Sequence, residues 1–393
     1  MELSNICEYS SKRIDSSLLT VENYVSTENM MQNKGGITLA SKVPVENSVE
    51  FLPGDILISN IRPYFRKIWL SDKKGGCSSD VLCIRALPGT DSTYLYYLLS
   101  QDSFFDYVMS GAKGCKMPRG DKSQIMQWDV ALPNFEEQHR IASILKSIDD
   151  KIQLNNRINH NLEQQAQALY KSWFVDFEPF RDGKFVESEL GMIPEGWRVG
   201  QLSEICEIVG GGTPSKVKTE YYTNNGIHWL TPKDLSISCK KFTSRGLDDI
   251  TELGYKSSSA KLMPKGAVLF SSRAPIGYLT IAKNTICTNQ GFKSAVPGIA
   301  GTAFLYYYLK FNTEYIKTLA SGSTFKEASG SLMKSLAVVI PPKMVFDKFE
   351  DVMARYFDSQ ENIELENSHH LEVRDSLLPR LMSGELKIND LTC

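Results

Sequence analysis

The run Gly210-Gly211-Gly212-Thr213-Pro214-Ser215-Lys216 has the residue types of a phosphate-binding loop. It fails the Walker spacing, which needs Gly-Lys-Ser/Thr after a four-residue gap, and Pro214 removes a backbone donor where a cradle needs one. The stretch reads as a flexible, basic loop that contacts DNA or as a plain turn, with Thr213, Ser215, Lys216 and Lys218 as contact candidates. Just beyond it, Trp229-Leu230-Thr231-Pro232-Lys233-Asp234 joins an aromatic, a hydroxyl, a cation and an acid. Lys233 can address guanine, Asp234 cytosine and Thr231 the thymine methyl. The alternative is a core Trp229 beside a surface Lys233–Asp234 pair.

Earlier in the chain, Arg62, Tyr64, Arg66 and Lys67 follow an apolar run, and Lys113, Lys116, Arg119 and Lys122 lie in a Gly/Pro-containing stretch. Solvated loops share this composition. Phosphate contact is favoured because the cations fall where an internal repeat places Ser272, Arg273 and Lys326 in a second copy.

Signatures of catalysis are missing. The sequence has no Asp/Asn-Pro-Pro-Tyr motif and no Gly-x-Gly-x-x-Gly after a strand. Asp182-Gly183-Lys184 has the tail of a nuclease D-x-K, but it falls in a linker with no core strand to hold a metal. The eight cysteines (Cys7, Cys77, Cys83, Cys115, Cys206, Cys239, Cys287, Cys393) are scattered without zinc spacing and read as reduced structural thiols. The adjacent His369 and His370 point in different directions on a helix. A chain without catalysis, cofactor or metal of its own is expected.

The elements that carry these residues come in two copies. At 393 residues the chain has room for two domains and a connector. A content of 42% hydrophobic and 23% charged residues suits a globular protein, and no apolar run reaches membrane-span length. The N-terminus lacks a basic region leading into an apolar stretch, so a cytoplasmic location without a membrane is expected. The net charge of −2 argues against a nonspecific DNA coat, but the charge is uneven. Residues 186–342 hold 17 Lys/Arg against 12 Asp/Glu, whereas residues 345–375 hold three against nine.

The repeat has a period of roughly 200–210 residues. Leu3-Ser4-Asn5-Ile6-Cys7-Glu8 returns as Leu202-Ser203-Glu204-Ile205-Cys206-Glu207, and Gly54–Pro63 returns as Gly266–Pro275. Tyr94–Leu99 corresponds to Phe304–Leu309. Each copy closes on an apolar strand ending in proline, Val130–Pro133 and Val338–Pro341.

Long helices follow. Ile141, Leu145, Ile148, Ile152, Leu162, Ala166, Leu169 and Trp173 keep a four-three spacing, the seam of a coiled coil, with Asn155 and Asn159 in the same stripe. The second copy offers Phe349, Met353, Tyr356, Ile363 and Asn367, then a shift by one to Leu371 and Leu378. Ordinary bundle helices are the alternative, but the matched positions favour an antiparallel pair, each stripe covering the other. A helix of about 40 residues spans about 60 Å, enough to hold two readers apart along a duplex whose turn is about 34–36 Å. The expected architecture is therefore two globular domains in tandem, separated by long helices in an antiparallel coiled coil with an internal pseudo-two-fold. Its boundaries are a first domain at 1–135, a helix at 136–180, a linker at 181–197, a second domain at 198–342, and a second helix with its tail at 343–393.

In this order, several motifs resemble those of the specificity subunit of Type I restriction–modification enzymes. They are Gly211-Gly212-Thr213-Pro214-Ser215, Trp229-x-Thr231-Pro232-Lys233-Asp234, Leu132-Pro133 followed by Glu137-Gln138-x-Arg140-Ile141-Ala142-x-Ile144-Leu145, Ala168-Leu169-Tyr170-x-Ser172-Trp173-Phe174, Pro194-x-Gly196-Trp197 and Leu377–Leu386. The match covers nearly the whole chain. It implies two mixed α/β target-recognition domains, each reading half of a split asymmetric site in double-stranded DNA, with the helices as spacer and docking platform. It also implies two modification subunits that use S-adenosylmethionine to methylate adenine, and ATP-driven restriction subunits; S-adenosylmethionine, ATP and Mg are expected in those partners. In the first copy, Ser10-Ser11-Lys12-Arg13-Ile14-Asp15 replaces the Gly-Gly-Thr-Pro-Ser loop, so the two half-sites should differ.

Overall fold

The structure is a computed structural model describing residues 1–238, 240–322 and 326–388. Cys239 and Cys393 lie outside the described residues. Cys7, Cys77, Cys83, Cys206 and Cys287 are buried free thiols, and Cys115 is free and exposed. Burial pushes the thiols of Cys7, Cys206 and Cys287 up to about 12, which keeps them protonated and unreactive.

The chain divides into two compact units: Met1–Leu154 with the chain from Ser368 on, and Asn155–Asn367. Strands of the first are β1 (Cys7–Tyr9), β2 (Arg13–Ile14), β3 (Tyr24–Val25), β4 (Ser48–Phe51), β5 (Ile56–Ser59), β6 (Ile68–Leu70), β7 (Gly75–Cys77) and β8 (Val81–Ala86). They form an antiparallel sheet in the order β1-β8-β5-β6 and a mixed sheet in the order β2-β4-β7-β3. The central strand β5 is buried on both faces by simple alternation. Ile56 and Ile58 join the larger core with Leu3, Ile84, Tyr94 and Phe104, while Leu57 faces Val25, Phe51 and Cys77 in the smaller one. Helices α1 (Ser92–Leu99), α2 (Asp102–Ser110) and α3 (Lys122–Met126) cover the larger core. Asp91 caps α1 by accepting from the N–H groups of Thr93 and Tyr94, and Asp121 caps α3 in the same way. The 40-residue helix α4 (Phe135–Phe174) follows.

The second unit repeats the plan. A hairpin of β9 (Phe185–Ser188) and β10 (Gly191–Pro194) leads to β11 (Arg198–Gln201), β12 (Cys206–Gly210), β13 (Tyr222–Thr223), β14 (Ile227–Leu230), α5 (Pro232–Ile237), β15 (Phe242–Thr243), β16 (Asp249–Ile250), α6 (Glu252–Lys256), β17 (Val268–Ser272), β18 (Ile276–Ala282), β19 (Cys287–Thr288) and β20 (Lys293–Pro297). Then come α7 (Thr302–Leu319), α8 (Gly330–Lys334), β21 (Ala337–Ile340) and the 40-residue α9 (Lys343–Met382). The sheet β12-β20-β17-β18-β15 reproduces β1-β8-β5-β6 with one strand added, and β13-β16-β14-β19 is the second mixed sheet. Strand β17 alternates as β5 does: Val268 and Phe270 face one core, Leu269 the other.

Tyr94–Leu99 and Phe304–Leu309 are helical. Two details differ from the sequence expectation. The first copy's closing strand shrinks to a single Glu2–Asp129 bridge and a bond from the Val130 N–H to the Met1 carbonyl, whereas its counterpart pairs with β11 over four residues. Helix α4 ends at Phe174, before a short turn at Glu178–Phe180.

Within each unit, α4 and α9 pair antiparallel. In the second, Asn155 donates to Glu366 (2.8 Å) and Asn367 (2.9 Å), and Gln360 donates to Glu163 (3.2 Å). In the first, Ile141 and Leu145 share a core with Leu378 and Leu381, and Arg374 donates to Asp149 at 2.8 Å. Leu145, Phe349 and Met353 are fully buried, while Ile148, Ile152, Leu162, Leu169, Tyr356 and Ile363 are half-buried. Leu371, expected in the seam, is 38% exposed. The heptad runs unbroken through Met353, Tyr356, Gln360, Ile363, Asn367, His370, Arg374, Leu377 and Leu381. Gln360 is buried and Arg374 largely so, and both are satisfied from α4; of the shifted pair, Leu378 is buried with Ile141 and Leu145 and only Leu371 is not.

Candidate nucleic-acid interface

In the first unit β5 delivers the chain into Asn60–Lys67. Arg62 and Arg66 both take the left-handed conformation (φ 51° and 50°) around the short helical turn Pro63–Phe65, which leaves Tyr64 about half exposed. The Arg62 guanidinium lies over the Phe65 ring at 6.0 Å. The loop Ala112–Gly120 packs directly on this turn. Arg62 N–H donates to the Pro118 carbonyl (2.8 Å), Gly120 N–H donates to the Asn60 carbonyl (3.2 Å), and Ile61 bridges Arg119. The two cationic segments named from sequence thus become one surface.

Within that surface Lys113 pairs with Asp121 (2.8 Å) and Arg119 with Asp80 (3.1 Å), while Lys116 and Lys122 are exposed. Arg66 is drawn aside to Asp102 at 3.0 Å. The hydrogen bond from Lys113 holds the Asp121 carboxyl below its usual range, so that pair is charged at neutral pH.

In the second unit the glycine-rich run is held in place, not flexible. A Cβ on Gly211 would lie 1.9 Å from the Asn289 carbonyl oxygen, and one on Gly212 would lie 2.2 Å from the Ala260 nitrogen. Gly212 N–H donates to the Thr288 carbonyl (2.9 Å), Trp229 Nε1 donates to the Gly212 carbonyl (3.0 Å), and Tyr222 Oη donates to the Pro214 carbonyl (2.7 Å). Trp229 is therefore a buried strut. Beyond Pro214 the chain emerges, with Ser215, Lys216 and Lys218 exposed; Lys218 donates to Tyr221 Oη at 3.0 Å. Thr213 is half-buried and its Oγ1 has no partner within the described residues.

Other candidates serve the fold. Thr231 and Asp234 form the capping box of α5: the Thr231 N–H (2.7 Å) and Oγ1 (2.8 Å) both donate to Asp234. Leu247 N–H donates to the other Asp234 oxygen at 3.3 Å, so the carboxylate is committed to the loop and only Lys233 projects from this motif. Ser272 is fully buried and donates to the Gly291 carbonyl, which removes it from any surface.

Arg273 (3.5 Å) and Lys293 (3.0 Å) share Glu327, next to the exposed Lys326. The bond from Ala328 N–H to the Ser272 carbonyl (2.9 Å) repeats that from Gly120 to Asn60, which places Glu327 where the first unit has Arg119. The same loop junction carries opposite charge in the two copies. Sequence reasoning missed Arg245, which is 44% exposed and anchored by the buried Asp249 at 3.1 Å. Asp249 also accepts from Gly226 N–H and lies 3.3 Å from His228 Nδ1. Nothing in its sequence setting marks Asp249 as buried. Among the described residues no group of three or more His, Cys, Asp or Glu is arranged to hold a metal, and no helix is long and apolar enough to cross a membrane.

The sequence matches the Type I restriction modification DNA specificity domain twice, over residues 1–164 and 194–373. The chain belongs to this family. It is 40% identical over 188 residues to the Type I restriction enzyme MjaIX specificity subunit of Methanocaldococcus jannaschii, an alignment covering 47% of this chain and 43% of that protein. It is 26% identical over 454 aligned residues to the HindI specificity subunit of Haemophilus influenzae, covering 98% of both chains. The crystal structure of the Type I restriction-modification S subunit from M. genitalium aligns with a TM-score of 0.60 at 17% identity, over 97% of this chain and 95% of that one, and so shares the fold.

Proposed function

We propose that this chain is the non-catalytic DNA-specificity subunit of a Type I restriction–modification system. It binds a bipartite, asymmetric target in double-stranded DNA, one half per unit, and directs methylation or cleavage by partner subunits. The observation that carries this function is the duplicated unit itself: two copies of one fold present matched loop junctions with different charged residues, Arg119 with Asp80 in one and Glu327 with Arg273 and Lys293 in the other. Like surfaces would read like half-sites; unlike surfaces suit an asymmetric site.

In the first unit Arg62, Tyr64, Lys113, Lys116, Arg119 and Lys122 meet the duplex. Ser215, Lys216, Lys218, Lys233, Arg245, Arg273 and Lys326 do so in the second. Lysines and arginines at loop tips secure the register on phosphate, and the exposed side chains beside them read base edges. Two modification subunits carrying S-adenosylmethionine, and restriction subunits using ATP and Mg, supply the chemistry in the cytoplasm.

Co-expression with the modification subunit, followed by mapping of methylated adenines on random-sequence DNA, tests this function. A two-part motif is the expected result. A stable complex that methylates without sequence preference points instead to an adaptor that docks but does not read.

A further inference from the structure

Lys241 is the least expected residue in the second unit: a lysine only 7% exposed, with every ammonium donor engaged. Its Nζ donates to Glu163 of α4 (2.8 Å), to Tyr307 Oη of α7 (2.8 Å) and to Gln360 Oε1 of α9 (2.7 Å). The rings of Phe357 (4.1 Å), Tyr306 (4.6 Å) and Tyr307 (4.8 Å) surround the cation. The backbone around it is held as firmly. Glu364 of α9 accepts from the N–H groups of Lys241 (2.8 Å) and Phe242 (3.2 Å), and the Lys241 carbonyl accepts from Ile281 N–H (2.8 Å) and Thr280 Oγ1 (3.1 Å). One residue therefore joins the sheet edge of the recognition domain to both long helices.

The position of Lys241 in the chain gives that junction a purpose. It stands just before β15, inside the segment from Thr231 to Asp249 that carries Lys233 and Arg245 outward. Strand β15 is the strand the first unit's sheet lacks. Loops on such a segment aim at a base only if its foot is fixed, and a buried cation whose donors are engaged by α4, α7 and α9 at once ties that foot to three elements, at a desolvation cost.

We infer that Lys241 is a positioning residue, clamping the foot of the 231–249 segment to α4 and α9 and so setting the selectivity of the second unit for its half-site. The inference rests on the DNA-reading function proposed above. Glu163 and Lys310 from α4 and α7, Glu364 from α9 and Lys240 on the same segment are the charged groups around it. Burial pushes the Lys241 ammonium down to about 8 against the pull of Glu163, so it loses its proton within a usable pH range. Burial pushes the phenols of Tyr306 and Tyr307 up, so they stay neutral there.

The test uses the full chain assembled with its modification subunits, assayed by methylation of duplex libraries randomised in one half-site at a time. Lys241→Met is expected to cut discrimination at the second unit's half-site about tenfold or more and to leave the other half unchanged, with Lys241→Arg restoring part of the loss. Raising the pH from 7 to 9 should lower the same selectivity in the wild type but not in Lys241→Arg. If Lys241→Met fails to assemble, Glu364→Gln, which weakens the same foot without removing the cation, is held to the same half-site-specific loss. Unchanged selectivity, or equal loss at both halves, overturns the inference while DNA reading stands. A wild type without any two-part preference overturns both.

Discussion

Removing two exposed cations from the converged surface of the first unit, Lys116→Ala with Lys122→Ala, should weaken DNA binding by a predictable, salt-dependent amount. Both side chains are exposed, so the double variant should keep its stability to within about 0.5 kcal/mol. Each phosphate contact contributes about 0.9 to the slope of log affinity against log salt, so losing two flattens the slope by about 1.8. Between about 50 and about 200 mM salt, a change of about 0.6 log units, the wild-type advantage should shrink by about 1.1 log units, roughly tenfold. Fluorescence-anisotropy titrations of the assembled complex at four salt concentrations measure this. The methylated sequence should be unchanged, because phosphate contacts position without reading. Lys317→Ala, which removes a cation paired with Glu314 on α7, serves as control. An unchanged slope in a folded double variant, or an equal flattening by Lys317→Ala, would refute the placement of DNA on this surface.

Three further outcomes are expected. Arg374→Met leaves the largely buried Asp149 without its ion partner and should cost about 3–5 kcal/mol, read as a lowered midpoint in urea unfolding. Thr231→Ser keeps the capping hydroxyl and removes only the methyl, so stability and target sequence should both persist; a changed base preference at unchanged stability would make Thr231 a reader after all. Burial pushes the Glu163 carboxyl up, but Lys241 and Lys310 more than reverse this and hold it at about 2. Its folded value is thus depressed, and its contribution, present above the unfolded value near 4.5, is lost as pH falls from there toward about 2. Glu163→Gln should flatten that part of an acid-unfolding curve.

The repeat, the domain order and the helical seam were legible because they rest on periodicity and on long matched runs, which sequence displays directly. The seam failed at Leu371, which is exposed, while Arg374 takes a largely buried position three residues on because Asp149 stands opposite it. The candidate site was less legible, for a physical reason: a polar side chain's role depends on what faces it. Thr231 and Asp234 have the composition of base readers, yet cap a helix, and Ser272 sits inside the sheet. The glycines of the 210–216 run are needed for close backbone approach, not for freedom. Lys241 and Asp249 carry no marking pattern, since burial of a charge is decided by partners far away in the chain.

The most direct test of the central claim is an exchange of residues 198–342 for the matching segment of a family member with a different target, followed by assembly with the modification subunits and mapping of methylated adenines. One half of the two-part motif should change while the other half stays as in the parent. A motif that changes in both halves, or in neither, would contradict one half-site per unit.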